Sequence, residues 1–374
     1  MLKVMTIVGT RPELIKMSRV IAVFDKHTKH VLVHTEQNFD YELNKIFFEE
    51  LGIREPDYCL GVLGKSAAQT IARIIEKSDE VLEKERPDAL LLYGDTNSCL
   101  SVISAKRKKI PVFHMEAGNR SYDQRVPEEI NRKVVDHLSD INLVLTEHAR
   151  RNLIAEGIHS DRIIKVGSHM KEVLEHYMSK IAASDVLYRL NLQSQRYFLV
   201  SVHREENVDL PERLQHLLNT LQLLVKKYQM PIIVSTHPRT RKEIEKLEKG
   251  DLDSRIQFLR PFGFLDYIKL QMEAYCILSD SGTIAEESSL LNLAAVSIRD
   301  AHERPEVMDE GVLIMSTIKA EKILDAVCIA TQKHNNTERQ FKVVPDYEGG
   351  LVSQKVLRVV LSYVDFVNHV VWSK

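Results

Sequence analysis

Short apolar runs alternate with longer amphipathic stretches along nearly the whole 374-residue chain, and this alternation restricts the fold more than any other feature. It is the pattern of parallel βαβ units, in which doubly buried strands read as apolar runs and the crossovers between them are helices. In the first half, strands are expected at Val4–Val8, His30–His34, Ala89–Tyr93, Val112–Met115, Ile141–Leu145 and Ile163–Val166. Helices are expected between them at Pro12–Phe24, Ala67–Lys84 and Glu128–Leu138. A break follows at Gly167–Ser168, and a polar helix over Met170–Leu190 leads to a second series. Its strands are expected at Tyr197–Val202, Pro231–Ser235, Ile256–Phe258, Tyr275–Leu278 and Ala294–Ser297. A terminal helix from about residue 355 presents an apolar face of Val356, Val359, Val360, Tyr363 and Val364. A chain of this length favours two cores over one. The reading is α/β with two Rossmann-like doubly wound domains: 1–168, completed by the helix 355–374, and 169–354.

Composition removes several classes of function. The hydrophobic fraction of 44% and charged fraction of 28% are those of a soluble globular protein. A net charge of −2 argues against a nucleic-acid binder that works by neutralising phosphates. No apolar stretch approaches the roughly 20 residues of a membrane span, and Lys3 leads into a short strand rather than a signal peptide. Cys59, Cys99, Cys276 and Cys328 are scattered singly, without metal-ligand spacing, as reduced thiols are. A cytoplasmic protein without membrane insertion or resident metal is expected.

In doubly wound sheets ligands bind outside the carboxyl ends of the strands, so the residues that follow each strand carry the information. After Val4–Val8 comes Gly9-Thr10-Arg11-Pro12-Glu13, with Lys16 one turn on. Arg11 and Lys16 beside a helix N-terminus suit an anion, and equally suit a plain strand–turn–helix corner. After Ala89–Tyr93 comes Gly94-Asp95-Thr96-Asn97, and after Val112–Met115 comes Glu116-Ala117-Gly118-Asn119-Arg120. Pro127-Glu128-Glu129 then opens a helix that carries Asn131 and Arg132. Asp95 could be a helix cap, and Glu128 or Glu129 could serve the helix dipole. Glu116 has the weakest such explanation, since an acid following a buried strand is costly without a task. Three carboxylates on one rim are expected to raise one another's pKa and to suit acid–base work. No Gly-x-Ser-x-Gly points to an acyl nucleophile.

The second half repeats the design. His203-Arg204-Glu205-Glu206-Asn207 follows its first strand, and Thr236-His237-Pro238-Arg239 its second. Ser279-Asp280-Ser281-Gly282-Thr283 precedes a helix with Glu286 and Glu287, and Arg299-Asp300-Ala301-His302-Glu303-Arg304 comes last. Ser281-Gly282-Thr283 offers N–H groups and hydroxyls suited to phosphate, although such a triplet is also a common cap. Glu287 could accept hydrogen bonds from a ribose. Phe262 and Tyr267 could stack on a nucleobase, or could simply connect strand to helix.

These segments, in this order and spacing, resemble the non-hydrolysing UDP-N-acetylglucosamine 2-epimerase family over nearly the whole chain. The matching stretches are Gly9-Thr10-Arg11-Pro12-Glu13 with Lys16, Gly94-Asp95-Thr96, His114-Met115-Glu116-Ala117-Gly118, and Pro127-Glu128-Glu129 with Asn131-Arg132. In the second half they are His203-Arg204, Asp280-Ser281-Gly282 with Glu286-Glu287, and Arg299-Asp300 with Glu303-Arg304-Pro305-Glu306. The resemblance implies a glycosyltransferase-B-like fold with the UDP-sugar in the cleft between its domains. It also implies anti elimination of UDP to a 2-acetamidoglycal and re-addition with C2 inverted. Asp95, Glu116, Glu128 and His203 would then be catalytic. Arg11, Lys16, Arg132, Arg204, His237, Phe262, Tyr267, Ser281, Gly282, Thr283, Glu287 and Arg304 would bind substrate. No cofactor is implied, and the family is usually homodimeric.

Departures from the glucosamine epimerases point further. The loop Asn119–Val126 is shorter and different in composition, His203-Arg204-Glu205-Glu206 is less basic, and Thr283 replaces a glycine. Thr35–Asp40 differs from the stretch that forms a regulatory substrate site, so substrate activation is not expected. The pattern from Glu116 to Lys133 is similar to the subgroup that makes UDP-N-acetyl-L-fucosamine from UDP-2-acetamido-2,6-dideoxy-L-talose for capsule or O-antigen. The alternatives are a UDP-N-acetylglucosamine/UDP-N-acetylmannosamine interconverter, a hydrolysing epimerase, a UDP-sugar glycosyltransferase and a non-catalytic UDP-sugar-binding module.

Overall fold

The computed structural model describes residues 1–36, 41–204, 207, 210–236, 240–241, 252–301, 303–332, 334 and 338–374. The described residues form two compact units: Met1–His176 with Pro345–Lys374, and Tyr177–Val344.

The first unit holds a parallel sheet of β1 (Lys3–Val8), β2 (Lys29–His34), β3 (Tyr58–Cys59), β4 (Ala89–Tyr93), β5 (Val112–Met115), β6 (Ile141–Val144) and β7 (Ile163–Lys165). Its order is β3-β2-β1-β4-β5-β6-β7. The central strands are buried on both faces, as parallel strands flanked by helices must be. The helix Arg11–His27 buries Leu14, Met17, Val20, Ile21 and Phe24 along one stripe, the helical period written into the sequence. It packs against the final helix, Val352–Trp372, which buries Val356, Val360 and Val364.

In the second unit, β8 (Phe198–Ser201), β9 (Ile232–Ser235), β10 (Ile256–Leu259), β11 (Cys276–Ser279), β12 (Ala295–Ile298) and β13 (Ile314–Ser316) form another parallel sheet. Their order is β10-β9-β8-β11-β12-β13. In each sheet the strand order reverses beside the first strand, between β1 and β4 and between β8 and β11. The carboxyl ends of those four strands are where a doubly wound fold places its ligand.

Two expectations need correction. The helix expected over Met170–Leu190 is two, Met170–Ala182 and Val186–Arg189. Ser184 interrupts it: its hydroxyl bonds the Val186 N–H at 3.3 Å and Asp266 at 2.5 Å, offering the backbone an alternative to the helical ladder. The divide between units falls inside the first of these helices. Strands β3 and β13 were not expected; both are short edge strands of two and three residues, with too little apolar length to signal themselves.

Candidate functional site

The carboxyl edge of the first sheet is built from three turns. After β1, Gly9 and Thr10 donate their N–H groups to Glu13 Oε2 at 2.6 and 2.7 Å, while Thr96 from the turn after β4 donates its hydroxyl to Glu13 Oε1 at 2.7 Å. Glu13 is buried, and burial pushes its carboxyl up to about 7 against the pull of these donors. One turn on, Lys16 reaches Glu116 Oε2 at 3.1 Å. Arg11 lies over the Phe47 ring at 5.7 Å.

Glu116 follows β5 in the left-handed region, at φ 62°, a conformation that favours glycine. It is held there from several sides. Tyr93 donates its hydroxyl to Glu116 Oε2, Asn119 Nδ2 approaches Oε1 at 3.3 Å, and His169 Nε2 stands 3.1 Å from the same tyrosine oxygen. Gly118 completes the turn at φ 82°, where an added Cβ would strike the Ala149 carbonyl. A non-glycine residue held left-handed at a strand end is a mark of functional sites.

Asp95, half-buried after β4, is gripped by Arg132, with Nε at 2.7 Å and Nη2 at 2.6 Å from Oδ2. The same guanidinium reaches Glu129 Oε2 at 3.1 Å, and Asn131 donates to the Asp95 carbonyl at 2.9 Å. Glu129 is buried. Burial raises its pKa, but the Ser121 N–H and Arg132 outweigh it and hold the carboxyl below its ordinary value. Glu128 is exposed in the first turn of the helix Pro127–Leu138. Each of three acids here has a cationic partner: Glu116 with Lys16, and Asp95 and Glu129 with Arg132. Glu13, at the same edge, is pushed upward by burial.

At the second edge the acids lie underneath. Asp280 is fully buried after β11 and accepts the N–H groups of His203 at 3.0 Å and Arg204 at 2.9 Å, with Asn207 Nδ2 at 3.1 Å. His203 Nδ1 lies 3.1 Å from its other oxygen. Burial raises the Asp280 carboxyl, and His203 with these donors draws it below the usual range. The His203 ring itself is 46% exposed. Arg204 donates Nε to the Asp280 carbonyl at 2.9 Å, and Arg304 sits 3.4 Å from Glu286.

Ser281, Gly282 and Thr283 are half-buried ahead of the helix Ile284–Leu291, with the two hydroxyls 3.0 Å apart. A Cβ on Gly282 would come within 2.9 Å of Glu303 Oε1, so a side chain would crowd this turn. Glu287 accepts from Gln271 Nε2 at 2.7 Å. Burial, reinforced by Glu287, pushes the Tyr267 hydroxyl upward, and Phe262 is half-buried in the connector before it. His237, expected to bind substrate, lies outside the described residues, as do Glu205, Glu206, His302 and much of the Thr35–Asp40 stretch.

Sequence reasoning passed over Tyr93 and His169 beside Glu116. Tyr93 closes a Leu-Leu-Leu-Tyr strand and reads as core, and His169 falls in what reads as a domain break. Among the described residues, no group of three His, Cys, Asp or Glu side chains could hold a metal ion, and no helix is long and apolar enough to cross a membrane.

The chain has counterparts among known proteins. The family model described as UDP-N-acetylglucosamine 2-epimerase matches residues 23–361. A solved structure of UDP-N-acetylglucosamine 2-epimerase from Rickettsia bellii is 61% identical, with all of both chains covered and a TM-score of 0.95. The Methanocaldococcus jannaschii UDP-GlcNAc 2-epimerase in complex with UDP-GlcNAc and UDP is 33% identical, covering 96% of this chain and 100% of that one, with a TM-score of 0.89. The UDP-2,3-diacetamido-2,3-dideoxy-D-glucuronate 2-epimerase of Pseudomonas aeruginosa is 34% identical over 95% of this chain and 98% of that protein. The fold is the glycosyltransferase-B type, with two Rossmann-like domains. The chain belongs to the UDP-N-acetylglucosamine 2-epimerase family and is an enzyme of the epimerase class.

Proposed function

We propose that this enzyme inverts C2 of a UDP-linked 2-acetamido sugar by anti elimination of UDP and re-addition through a 2-acetamidoglycal. The preferred substrate is UDP-2-acetamido-2,6-dideoxy-L-talose, which becomes UDP-N-acetyl-L-fucosamine. In elimination a base takes the C2 proton, the C2–H electron pair forms the C1–C2 double bond, and the C1–O bond breaks with UDP carrying away its electrons. In re-addition UDP attacks C1 and the proton returns to the opposite face of C2.

The observation that carries this reading is Glu116, set in a left-handed turn and fixed by Lys16 and Tyr93. A carboxylate restrained this way, with Asp95 nearby in sequence order on the adjacent strand end, suits proton transfer. Glu128 is the third acid–base group of the reading. Arg11, Lys16, Arg132 and His203 supply positive charge for a departing diphosphate. Arg204, His237, Ser281, Gly282, Thr283 and Arg304 grip UDP, Glu287 the ribose, and Phe262 and Tyr267 the uracil. The M. jannaschii relative, solved with UDP-GlcNAc and UDP, supports the nucleotide assignment.

The choice of sugar rests on the segment Asn119–Val126 and its neighbours from Glu116 through Lys133, whose pattern resembles the L-fucosamine-forming subgroup. The P. aeruginosa relative, named for a diacetamido-glucuronate, is a reminder that this family tolerates different hexoses. A second reading, interconversion of UDP-N-acetylglucosamine and UDP-N-acetylmannosamine, is favoured by the R. bellii relative, which is named a UDP-N-acetylglucosamine 2-epimerase. Incubation with each nucleotide sugar in D₂O separates them by NMR. Inversion with deuterium at C2 of the talose-derived substrate alone is expected. Inversion of the glucosamine substrate alone selects the second reading, and inversion without deuterium sinks the elimination route. We also propose a cytoplasmic homodimer that serves surface-polysaccharide synthesis.

A further inference from the structure

We propose that His114 is a positioning residue, a buried imidazolium anchored by Asp136 that locks the turn bearing Asp95 against the turn bearing Glu116. The inference rests on the reading of Asp95 and Glu116 as acid–base groups.

His114 lies within β5 and is 1% exposed. Its Nδ1 stands 2.8 Å from Asp136 Oδ1, and its Nε2 stands 2.7 Å from the carbonyl of Gly94. The carbonyl has no hydrogen to give. Asp136 is held as a carboxylate: its Oδ2 accepts Arg120 Nη1 at 2.8 Å and the Gly118 N–H at 3.1 Å, its Oδ1 lies 3.3 Å from the same N–H, and its partners draw the carboxyl below its ordinary value despite burial. Both ring nitrogens therefore need a hydrogen, since a lone pair facing a buried acceptor would leave two polar atoms unsatisfied.

Asp136 sits between this ring and a second cation. Arg120, 3% exposed, also holds the partly exposed Glu156 through Nε at 2.7 Å and Nη2 at 2.6 Å, with His137 at 3.3 Å on the outer side of that acid.

The consequence is geometric. Gly94, at φ 70°, gives its N–H to the Met115 carbonyl at 2.9 Å and takes the His114 proton on its own carbonyl. Both its polar groups are thus tied to β5, one residue before Asp95. Asp136 in turn holds Gly118, two residues after Glu116. One buried aspartate–imidazolium link registers both carboxylate turns without touching the sugar, and small displacements of such groups are costly to rate.

The test uses the full-length protein with ¹⁵N-labelled histidine. At about pH 8, where an ordinary imidazole is neutral, the parent spectrum is expected to contain a ring with both nitrogens hydrogen-bearing and slow to exchange. His114→Gln removes it and so assigns it. If no such ring exists, the proposal falls, whatever the variants do. In kinetics, His114→Gln and Asp136→Asn are each expected to lower kcat by about tenfold or more while KM stays within about twofold. A kcat within about twofold of the parent in both folded variants overturns the positioning role. Turnover of the parent is measured alongside. A parent that epimerises no UDP-2-acetamido sugar sinks the functional reading but not the ring charge, whereas an active parent with a neutral His114 sinks this proposal alone.

Discussion

The two sheets share the strand order around their reversal point, yet their carboxyl edges hold their acids differently. In the first unit, acids stand forward and cations hold them: half-buried Asp95 and Glu116 lean on buried Arg132 and Lys16. In the second, the acid is the foundation: fully buried Asp280 carries the partly exposed His203 and Arg204, while Glu286 and Arg304 are buried together. On the proposed reading, the same topology makes a proton-transfer edge in one unit and an anion-binding edge in the other. A strand-end acid is presented when its cation comes from a neighbouring helix. It is consumed as scaffold when backbone N–H groups surround it.

The sharpest way to break this contrast is Glu116→Gln. Turnover is expected to fall by about 10²- to 10⁴-fold, the range for acid–base groups, while UDP binding measured by calorimetry changes little. A parallel collapse of UDP affinity would mean that the edges do not divide the labour.

Next comes the contrast between the two buried acids. Glu13 has backbone and hydroxyl donors but no cation, and its carboxyl is pushed up to about 7; Asp280 has His203 and is drawn down. Between the ordinary carboxyl value and about 7, folded Glu13 keeps a proton that the unfolded chain releases. Its contribution to stability therefore declines as pH rises through this window and is lowest above it, by roughly 3 kcal/mol at most. Asp280 has the opposite sign, stabilising above the unfolded value near 3.9 and losing that stabilisation as pH falls through its depressed folded value. Glu13→Gln keeps an acceptor for the two N–H groups and turns its amide toward Thr96. Thermal unfolding of this variant should weaken less than the parent's between about pH 5 and 8. An identical pH dependence would show that Glu13 does not carry the titration.

Asp280→Asn turns an amide toward N–H donors and is expected to cost about 1–3 kcal/mol, the penalty for stranded buried groups. An unchanged unfolding temperature would contradict its role as foundation. The smallest effect belongs to Ser281→Ala, which removes one hydroxyl from the presented turn. UDP affinity should drop by about fivefold, near 1 kcal/mol for one hydrogen bond, with kcat nearly intact. A kcat loss larger than the affinity loss would move Ser281 to the chemical step.

Much of this was legible in the residues. Continuous apolar runs locate β4, β5 and β6 to within a residue, and polar residues follow these strands at the carboxyl edge of the sheet. What the sequence concealed is pairing at long range. Arg132 and Asp95 lie 37 positions apart, and Lys16 and Glu116 lie 100 apart. Nothing in local propensity announces such partners, so crowding looked like mutual repulsion when it was compensated attraction. Positive φ at Glu116 was equally hidden, because acids seldom adopt it and only tertiary contacts enforce it. His114 reads as part of a motif, and the two acceptors on either side of its ring come from positions 94 and 136.

The division of the chain has a consequence for biosynthesis. Residues 177–344 are inserted into the first unit, whose helix Val352–Trp372 buries its apolar stripe against Arg11–His27. A ribosome thus finishes the inserted unit while its host still lacks a wall. Until translation delivers Val356, Val360 and Val364, the helix Arg11–His27 lacks the partner it packs against, a natural client for a chaperone during elongation.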